Sequence, residues 1–236
     1  QGHLGRLEEV SGMSKKKVVA VIVEGPSDAA ALGSIFKAHF HGDEVQFVVV
    51  RGDITADDYS TIDNICTKVG LLIDELNERY GYGDSDFLRI IHISDMDGAF
   101  TRNKVVHADV EKVQYYEDHI EAKKVDAINR RNEKKSDVLF KLRTTGKIHG
   151  IYYRIYFNSC NLEHVLFNAL QDFTNEEKEE MADDFAEKYE DDLKAFIEFI
   201  SSDSVAVPGT YKETWKYIEK AEHSLERNTN MHLIFN

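Results

Sequence analysis

Short apolar runs alternate with helix-like segments along the first two thirds of this 236-residue chain. The runs lie at residues 17–23, 45–50, 87–93 and 151–157. Runs of this length that are apolar throughout are typical of strands buried on both faces of a parallel sheet. Strands that alternate with helices indicate crossover connections within one such sheet. The sequence therefore predicts an α/β fold with a parallel sheet of about four strands flanked by helices.

The segments between and after these strands have the three- and four-residue periodicity of amphipathic helices. The predicted helices begin near Ser27 or Asp28 and cover residues 56–80, 162–170, 174–200 and 211–225. The helix at Thr174 opens with a capping box that includes Glu177. Residues 99–148 are polar and basic, and we expect this insert to be mostly helical. The C-terminal helices are expected to form either a second layer or a small appended bundle.

Composition divides the chain into three parts. Residues 1–12 precede Met13 and look like the remnant of an expression tag. Residues 13–172 hold the alternating strands and helices, with the insert at about 99–148, and residues 173–236 form a helical C-terminal part. No apolar run reaches the length of a membrane span, so we expect no membrane partner. Two cysteines and no recognisable signal peptide indicate a cytoplasmic protein without disulfides.

The charge of the chain is strongly segregated. The formal net charge is −14, which opposes non-specific binding to a polyanion. Residues 123–147, however, carry nine basic side chains against three acidic ones, and we call this segment the basic block. Its basic residues are Lys123, Lys124, Arg130, Arg131, Lys134, Lys135, Lys141, Arg143 and Lys147. The block is either a nucleic-acid-binding surface or a solvated helix surface.

Acidic residues follow three of the predicted strands at the point where each strand ends. Glu24 follows the first strand, Asp95 and Asp97 follow the third, and Glu163 lies shortly after the fourth. The carboxyl ends of parallel strands share one edge of the sheet, where ligands bind. Carboxylates that meet there repel each other and call for a cation, and oxygen ligands favour Mg²⁺ or Mn²⁺ over zinc. The alternative is a set of unconnected, solvated acidic turns.

Two of these segments resemble the Toprim domain, the metal-binding fold of topoisomerases, primases and several nucleases. They are residues 23–28, Val-Glu-Gly-Pro-Ser-Asp, and residues 93–97, Ile-Ser-Asp-Met-Asp. The resemblance covers about residues 17–165 and is greatest to the OLD-like and RloB-like nuclease branch. It implies that Glu24, Asp95 and Asp97 are catalytic metal ligands and that Asp28 is a further ligand.

A third segment, residues 158–164, resembles the Asn-Pro-Cys-x-Glu segment of RloB-like proteins. It lacks the proline and has one extra residue before Glu163. The resemblance implies that Glu163 is also a metal ligand. Its alternative role is that of a first-turn acid, which favours the start of a helix.

The resemblance implies a metal-dependent endonuclease that hydrolyses phosphodiester bonds in DNA or RNA. One or two Mg²⁺ or Mn²⁺ ions can activate a water and stabilise the leaving oxygen. Lys141, with Arg143 and Lys147 close to it in sequence, is the candidate catalytic cation, and the rest of the basic block is the candidate nucleic-acid surface. By analogy alone, such relatives suggest mobile-element defence or repair, a separate ATPase subunit and self-association.

Two other functions are compatible with the same residues. The chain can be a non-catalytic Toprim-like subunit that binds a partner ATPase or nucleic acid. Residues 91–98 also resemble the first motif of haloacid-dehalogenase-like phosphatases, with Asp95 as the nucleophile and Asp97 as the general acid and base. That family usually has this motif on its first strand, whereas here it follows the third predicted strand.

Overall fold

The computed structural model describes residues 16–50, 52–220 and 223–236, so the predicted tag remnant and Met13 lie outside the described residues. The strands are β1 Val18–Val23, β2 Glu44–Val49, β3 Phe87–Asp95, β4 Val105–His107, β5 Gln114–Tyr115, β6 Ile120–Ala122, β7 Lys147–Ile148 and β8 Ile151–Asn158. The α-helices are α1 Pro26–His39, α2 Ile65–Tyr80, α3 Val125–Thr144, α4 Leu162–Phe167, α5 Asn175–Tyr189, α6 Leu193–Ile200 and α7 Tyr211–Glu219.

The main sheet has the strand order β2-β1-β3-β8-β7. Strands β2, β1, β3 and β8 are parallel, and the two-residue β7 pairs antiparallel with β8. All six residues of β1 are buried, which explains why its sequence is apolar throughout. The predicted α/β fold with parallel strands flanked by helices is confirmed, and the short β7 makes the sheet mixed.

Helices cover both faces of this sheet. Helices α2, α3 and α7 pack on one face, and α1, α4, α5 and α6 pack on the other. The C-terminal helices are therefore divided between the two faces and form layers on the sheet, not an appended bundle. Trp215 of α7 illustrates this arrangement, since its ring packs edge-on against Phe157 of β8 with the ring centres 5.0 Å apart.

Two predicted helices are shorter than their periodicity suggested. The expected helix at residues 56–80 begins only at Ile65, because Asp57 and Asn64 accept hydrogen bonds from the backbone N–H groups of Tyr59 and Thr61 and hold turns there. The expected helix at residues 174–200 begins with the predicted Thr174 capping box but breaks after Tyr189, and Asp192 caps the new helix α6.

The boundaries of two other helices also differ from the prediction. The helix predicted at residues 162–170 ends at Phe167, because Asn168 adopts a left-handed conformation with φ of 58°. The helix predicted at residues 211–225 is α7, which ends at Glu219, and residues 221–222 of it lie outside the described residues.

The insert at residues 99–148 is only partly helical. Its second half is α3, but residues 105–122 form a small sheet with the order β4-β6-β5. Val105, Ile120 and Ala122 form a small core beneath it with Leu225. The expectation of a mostly helical insert was wrong for these residues, because the strands are too short to produce a period-two pattern in the sequence.

Hydrogen bonds on two sides hold the end of β8. On one side, Asn230 Oδ1 accepts from the N–H of Phe157 at 2.8 Å. On the other side, the carbonyl oxygens of Asn158 and Cys160 accept from the N–H groups of Met96 and Asp97, each at 2.9 Å. The backbone after β8 therefore fixes the turn that follows β3. Among the described helices, none combines the length and hydrophobicity that spanning a bilayer requires.

Candidate metal centre

Three carboxylates meet at the edge of the sheet where β1, β2 and β3 end. Glu24, Asp53 and Asp97 each offer one oxygen, and these oxygens all lie within 4.8 Å of one another. The geometry follows from the fold, since parallel neighbouring strands end at the same edge. Asp53 is absent from the ligands predicted from sequence, although it follows β2 much as Glu24 follows β1. The signal that could have identified Asp53 is therefore its place after a strand.

A buried lysine lies between two of these carboxylates. The side chain of Lys135, from α3, is 0% exposed, and its Nζ lies 2.6 Å from Asp53 Oδ2 and 2.8 Å from Asp97 Oδ2. Burial by itself would lower the pKa of Lys135, but the charges of Asp97, Glu24 and Asp53 raise the pKa above its usual value. Lys135 therefore stays charged. The sequence analysis placed it on a nucleic-acid surface, whereas the structure places it inside the carboxylate cluster.

The same interaction sets the ionisation of Asp53. Burial favours its protonated form, but Lys135 and the hydrogen bonds from Thr55 outweigh burial and lower the pKa of Asp53. Its Oδ1 accepts from the N–H of Thr55 at 2.7 Å and from Thr55 Oγ1, so the loop after β2 fixes the carboxylate. Asp53 is thus a preorganised anion that faces the end of β3.

Glu24 joins this cluster to the next pair of acids. Its Oε1 accepts hydrogen bonds from the N–H of Asp95 at 3.1 Å and from Ser94 Oγ at 3.2 Å. Burial raises the pKa of Glu24 well above its usual value, with Asp53 and Asp97 adding to the effect and Lys135 opposing it. A nearby cation would favour the ionised form of Glu24.

Asp95, Asp28 and Glu163 lie on the other side of Glu24, where all four line a cavity of about 340 Å³. Asp95 accepts a hydrogen bond from Asn158 Nδ2 at 3.1 Å, and burial followed by the charges of Glu24 and Asp28 raises the pKa of Asp95 well above its usual value. Burial also raises the pKa of Asp28, to about 6, with Glu163 contributing.

A second lysine, Lys178 at the start of α5, lines the same cavity. Its Nζ lies 2.5 Å from Glu163 Oε1. Burial would lower the pKa of Lys178, but the hydrogen bond and charge of Glu163 raise it. The side chain of Lys178 is 35% exposed, in contrast to that of Lys135. Sequence reasoning missed Lys178, because the residue lies in a strongly acidic segment far from the motifs.

The charges of this region do not balance among the described residues. Six carboxylates, namely Glu24, Asp28, Asp53, Asp95, Asp97 and Glu163, interact electrostatically with one another and with two lysines. Arg131 also interacts with Asp97 and Asp53, so full ionisation would leave three negative charges in excess. Carboxylate oxygens of this kind are suitable ligands for Mg²⁺ and Mn²⁺. The donor atoms therefore fit these cations, and Lys135 and Lys178 neutralise part of the charge.

The turn after Asp97 docks the insert onto the site. Gly98 has φ of 87°, and a Cβ added there would lie 2.5 Å from Ile120 Cδ1 and 2.8 Å from Asn132 Nδ2, so a glycine is required. Arg131 Nη2 donates to the carbonyl oxygen of Asp97 at 2.6 Å and to the Tyr115 hydroxyl at 2.8 Å. Arg131, assigned from sequence to nucleic-acid binding, thus holds this turn.

The other predicted basic residues lie in different surroundings. Lys134 donates to the carbonyl oxygen of Asp57 at 2.7 Å, Arg143 pairs with Glu219, and Lys147 lies 4.8 Å from the centre of the Tyr152 ring. Lys141, the candidate catalytic cation, is exposed on α3, about 9 Å further along the helix axis than Lys135. Lys123, Lys124 and Arg130 line a separate cavity at the beginning of α3.

Comparisons with known proteins identify no family. No protein-family model, no curated protein and no solved structure matches the chain. The Toprim resemblance therefore stays a prediction that depends on the quoted motifs, and the function has to be inferred from the site itself.

Proposed function

We propose that this protein is a Toprim-like nuclease that hydrolyses phosphodiester bonds in nucleic acid with Mg²⁺ or Mn²⁺. The observation that carries the proposal is the meeting of Glu24, Asp53 and Asp97 within 4.8 Å at the ends of parallel strands. With Asp28, Asp95 and Glu163 beside them, these residues supply more negative charge than the two local lysines balance. Excess carboxylate charge at a sheet edge, next to a cavity, is suited to divalent cations.

The residues of the chain have separable roles in this proposal. The carboxylates hold the cations, which when bound supply an activated water and a charge that stabilises the leaving oxygen. Lys135 is a positioning residue, because its buried ammonium orients the carboxylates of Asp53 and Asp97. Lys178 lines the cavity and is partly exposed, so it can contact a phosphate oxygen of the substrate. The cytoplasmic location and the separate ATPase partner remain part of the proposal.

One observation favours the second candidate, a non-catalytic subunit. Lys135 and Lys178 each pair with carboxylates of the cluster, as lysines do in purely structural ion-pair networks. If these pairs persist in the presence of metal, the cluster stabilises the fold and a partner carries the chemistry. The two candidates differ in whether the isolated protein binds Mn²⁺.

The deciding experiment measures Mn²⁺ binding and cleavage in the same preparations. We expect calorimetric titration to detect Mn²⁺ binding, and we expect the protein with Mn²⁺ to nick a plasmid or cut a structured RNA. Chelation and Asp97→Asn should abolish cleavage, because asparagine keeps the shape of the side chain but loses its charge. Asp203→Asn, a change at an exposed residue outside the cluster, is the matched control and should be fully active.

Three outcomes would contradict the proposal. Absence of Mn²⁺ binding would favour the non-catalytic subunit. Cleavage that survives both chelation and Asp97→Asn would show that the activity belongs to another site or to a contaminant. Hydrolysis of a small phosphate monoester that is lost in Asp95→Asn would favour the phosphatase.

A further inference from the structure

A second concave surface lies at the beginning of α3, separate from the carboxylate cluster. Its volume is about 420 Å³, and three cationic side chains line it, those of Lys123, Lys124 and Arg130. His107 also lines this cavity, and Asp126 is the one acidic residue among its lining residues. The cavity is therefore positive on a chain whose net charge is −14.

These three cations are more available than most of the basic block, in which Lys141 is also exposed. Arg131, Lys134 and Lys135 bind groups of the protein itself. Lys124 and Arg130, in contrast, have no ion-pair or hydrogen-bond partner for their side chains within the described part of the chain. Lys123 lies 3.1 Å from the exposed Asp109, and such surface pairs contribute little free energy and exchange readily.

The cavity is held at a fixed distance from the carboxylate cluster by α3. Lys124 immediately precedes the helix, and Lys135 within it contacts Asp53 and Asp97. Eleven residues separate the two lysines, which corresponds to about 16 Å along an α-helix. A stacked nucleic-acid strand advances about 3.4 Å per nucleotide, so this separation equals about five nucleotides.

We propose that Lys123, Lys124 and Arg130 bind backbone phosphate of a nucleic-acid strand, about two nucleotides (from Arg130) to five nucleotides (from Lys124) away from the bond at the carboxylate cluster. This inference rests on the proposed function, and it adds that the substrate is a strand long enough to reach both places. Contacts to phosphate position a strand without reading its sequence. The protein therefore binds strands of different sequence alike at this cavity.

Binding can be tested without cleavage. A fluorescent single strand of about twelve nucleotides is titrated with protein in a chelator, at several salt concentrations. We expect Lys124→Glu/Arg130→Glu to bind about tenfold more weakly and to depend less steeply on salt, because each lost phosphate contact reduces the slope by about 0.7. The control is Lys212→Glu/Lys216→Glu, which makes the same change in charge at exposed positions of α7 and should weaken binding less than about twofold.

Equal weakening by both pairs of substitutions would overturn the proposal, because net charge alone would then explain binding. Unchanged binding of the Lys124→Glu/Arg130→Glu variant would overturn it as well. As a control for folding, both variants should unfold thermally at the same temperature as the wild type. A loss of binding then does not come from misfolding. Because no metal is present, this measurement stands even if the protein is not a nuclease.

Cleavage assays then separate the two proposals. We expect Lys124→Glu/Arg130→Glu to lower kcat/KM about tenfold for the strand of about twelve nucleotides, with no change for a small diester such as bis(p-nitrophenyl) phosphate. Equal losses on both substrates would contradict a remote phosphate contact. If the wild type cleaves neither substrate, the proposed function fails, while the binding measurement still decides whether the cavity takes phosphate.

Discussion

Lys135 Nζ lies 2.8 Å from Asp97 Oδ2, and the lysine side chain has no exposed surface. A buried ammonium is stable only where anions surround it, and Asp53 and Glu24 supply the rest of that negative charge. The α3 helix of the insert and the sheet edge therefore depend on each other electrostatically. The consequences of this dependence can be measured.

We expect Lys135→Met to destabilise the metal-free protein by about 3–5 kcal/mol, because it leaves buried carboxylates without their counter-charge. Mn²⁺ should restore more stability to this variant than to the wild type. Urea unfolding with a chelator and with Mn²⁺ measures both effects. Lys141→Met, at an exposed position on the same helix, is the control and should change stability by less than about 0.5 kcal/mol. Wild-type stability of Lys135→Met would refute this assignment.

Asp53→Asn tests the candidate ligand that the sequence analysis did not identify. Its amide oxygen can still accept the hydrogen bonds from Thr55, so the loop should keep its shape while the charge is lost. We expect the affinity for Mn²⁺ to fall at least about tenfold, which is about 1.4 kcal/mol. Asp57→Asn changes a carboxylate of the same loop that pairs with Lys68, outside the cluster, and should leave the affinity unchanged. Equal effects of both substitutions in calorimetric titration would argue against a specific role of Asp53.

Lys178→Met distinguishes two roles of Lys178. One is competition with the metal for Glu163, and the other is contact with a phosphate of the substrate. Removing the ammonium beside Glu163 should tighten Mn²⁺ binding, since the carboxylate no longer has a protein partner. The same change should lower kcat if Lys178 also contacts the phosphate. Stability should change by less than about 1 kcal/mol, because Lys178 is partly exposed. Lys194→Met on α6 is the control, and an unaltered Mn²⁺ affinity of Lys178→Met would exclude Glu163 as a ligand.

His92 gives the protein a predictable dependence on acid. Burial lowers the pKa of His92 from 6.5 to about 4, with Asp53 opposing and Lys135 adding to the shift, and its Nδ1 bonds to the Tyr153 hydroxyl at 2.8 Å. His92 therefore becomes protonated near pH 6.5 in the unfolded chain, but only near pH 4 in the folded chain. Stability from this residue is complete above pH 6.5 and decreases by about 3 kcal/mol as the pH falls to 4.

His92→Gln removes this titration and keeps a partner for the Tyr153 hydroxyl. The free energy of unfolding is measured for both proteins between pH 4 and 7.5 with urea. As the pH falls across this window, the wild type should lose stability relative to His92→Gln. This change in the difference does not depend on the absolute stability of the variant. Parallel curves would show that the pKa of His92 is the same in the folded and the unfolded protein, which would contradict the shift.

The strands and the acids that follow them could be predicted from the sequence, because both signals are local. Asp53 was accessible to the same argument, since it too follows a strand. Lys135 also left a trace, because it precedes Val138, Leu139 and Leu142 at helical spacing and so belongs to the buried face of α3. Because Lys135 was grouped with the surface charges, its contact with the carboxylates was not predicted.

Other parts of the site depend on long-range packing. Lys178 reaches Glu163 only because α5 packs beside α1 on one face of the sheet. Arg131 points inward because the small sheet of the insert places Tyr115 against it, and strands of two or three residues leave no period in the sequence. No pattern confined to a single segment could have indicated these contacts.

The hydrogen bonds between Phe157 and Asn230 set the order in which this site can form during synthesis. The backbone beyond Phe157 holds the N–H groups of Met96 and Asp97, so we expect the carboxylates to reach their final geometry only after the residues near 230 have been translated. A ribosome-bound fragment that ends at α4 would contain all six acids without this support. The growing chain thus completes the carboxylate cluster late in its synthesis, once the segment around residue 230 has joined the fold.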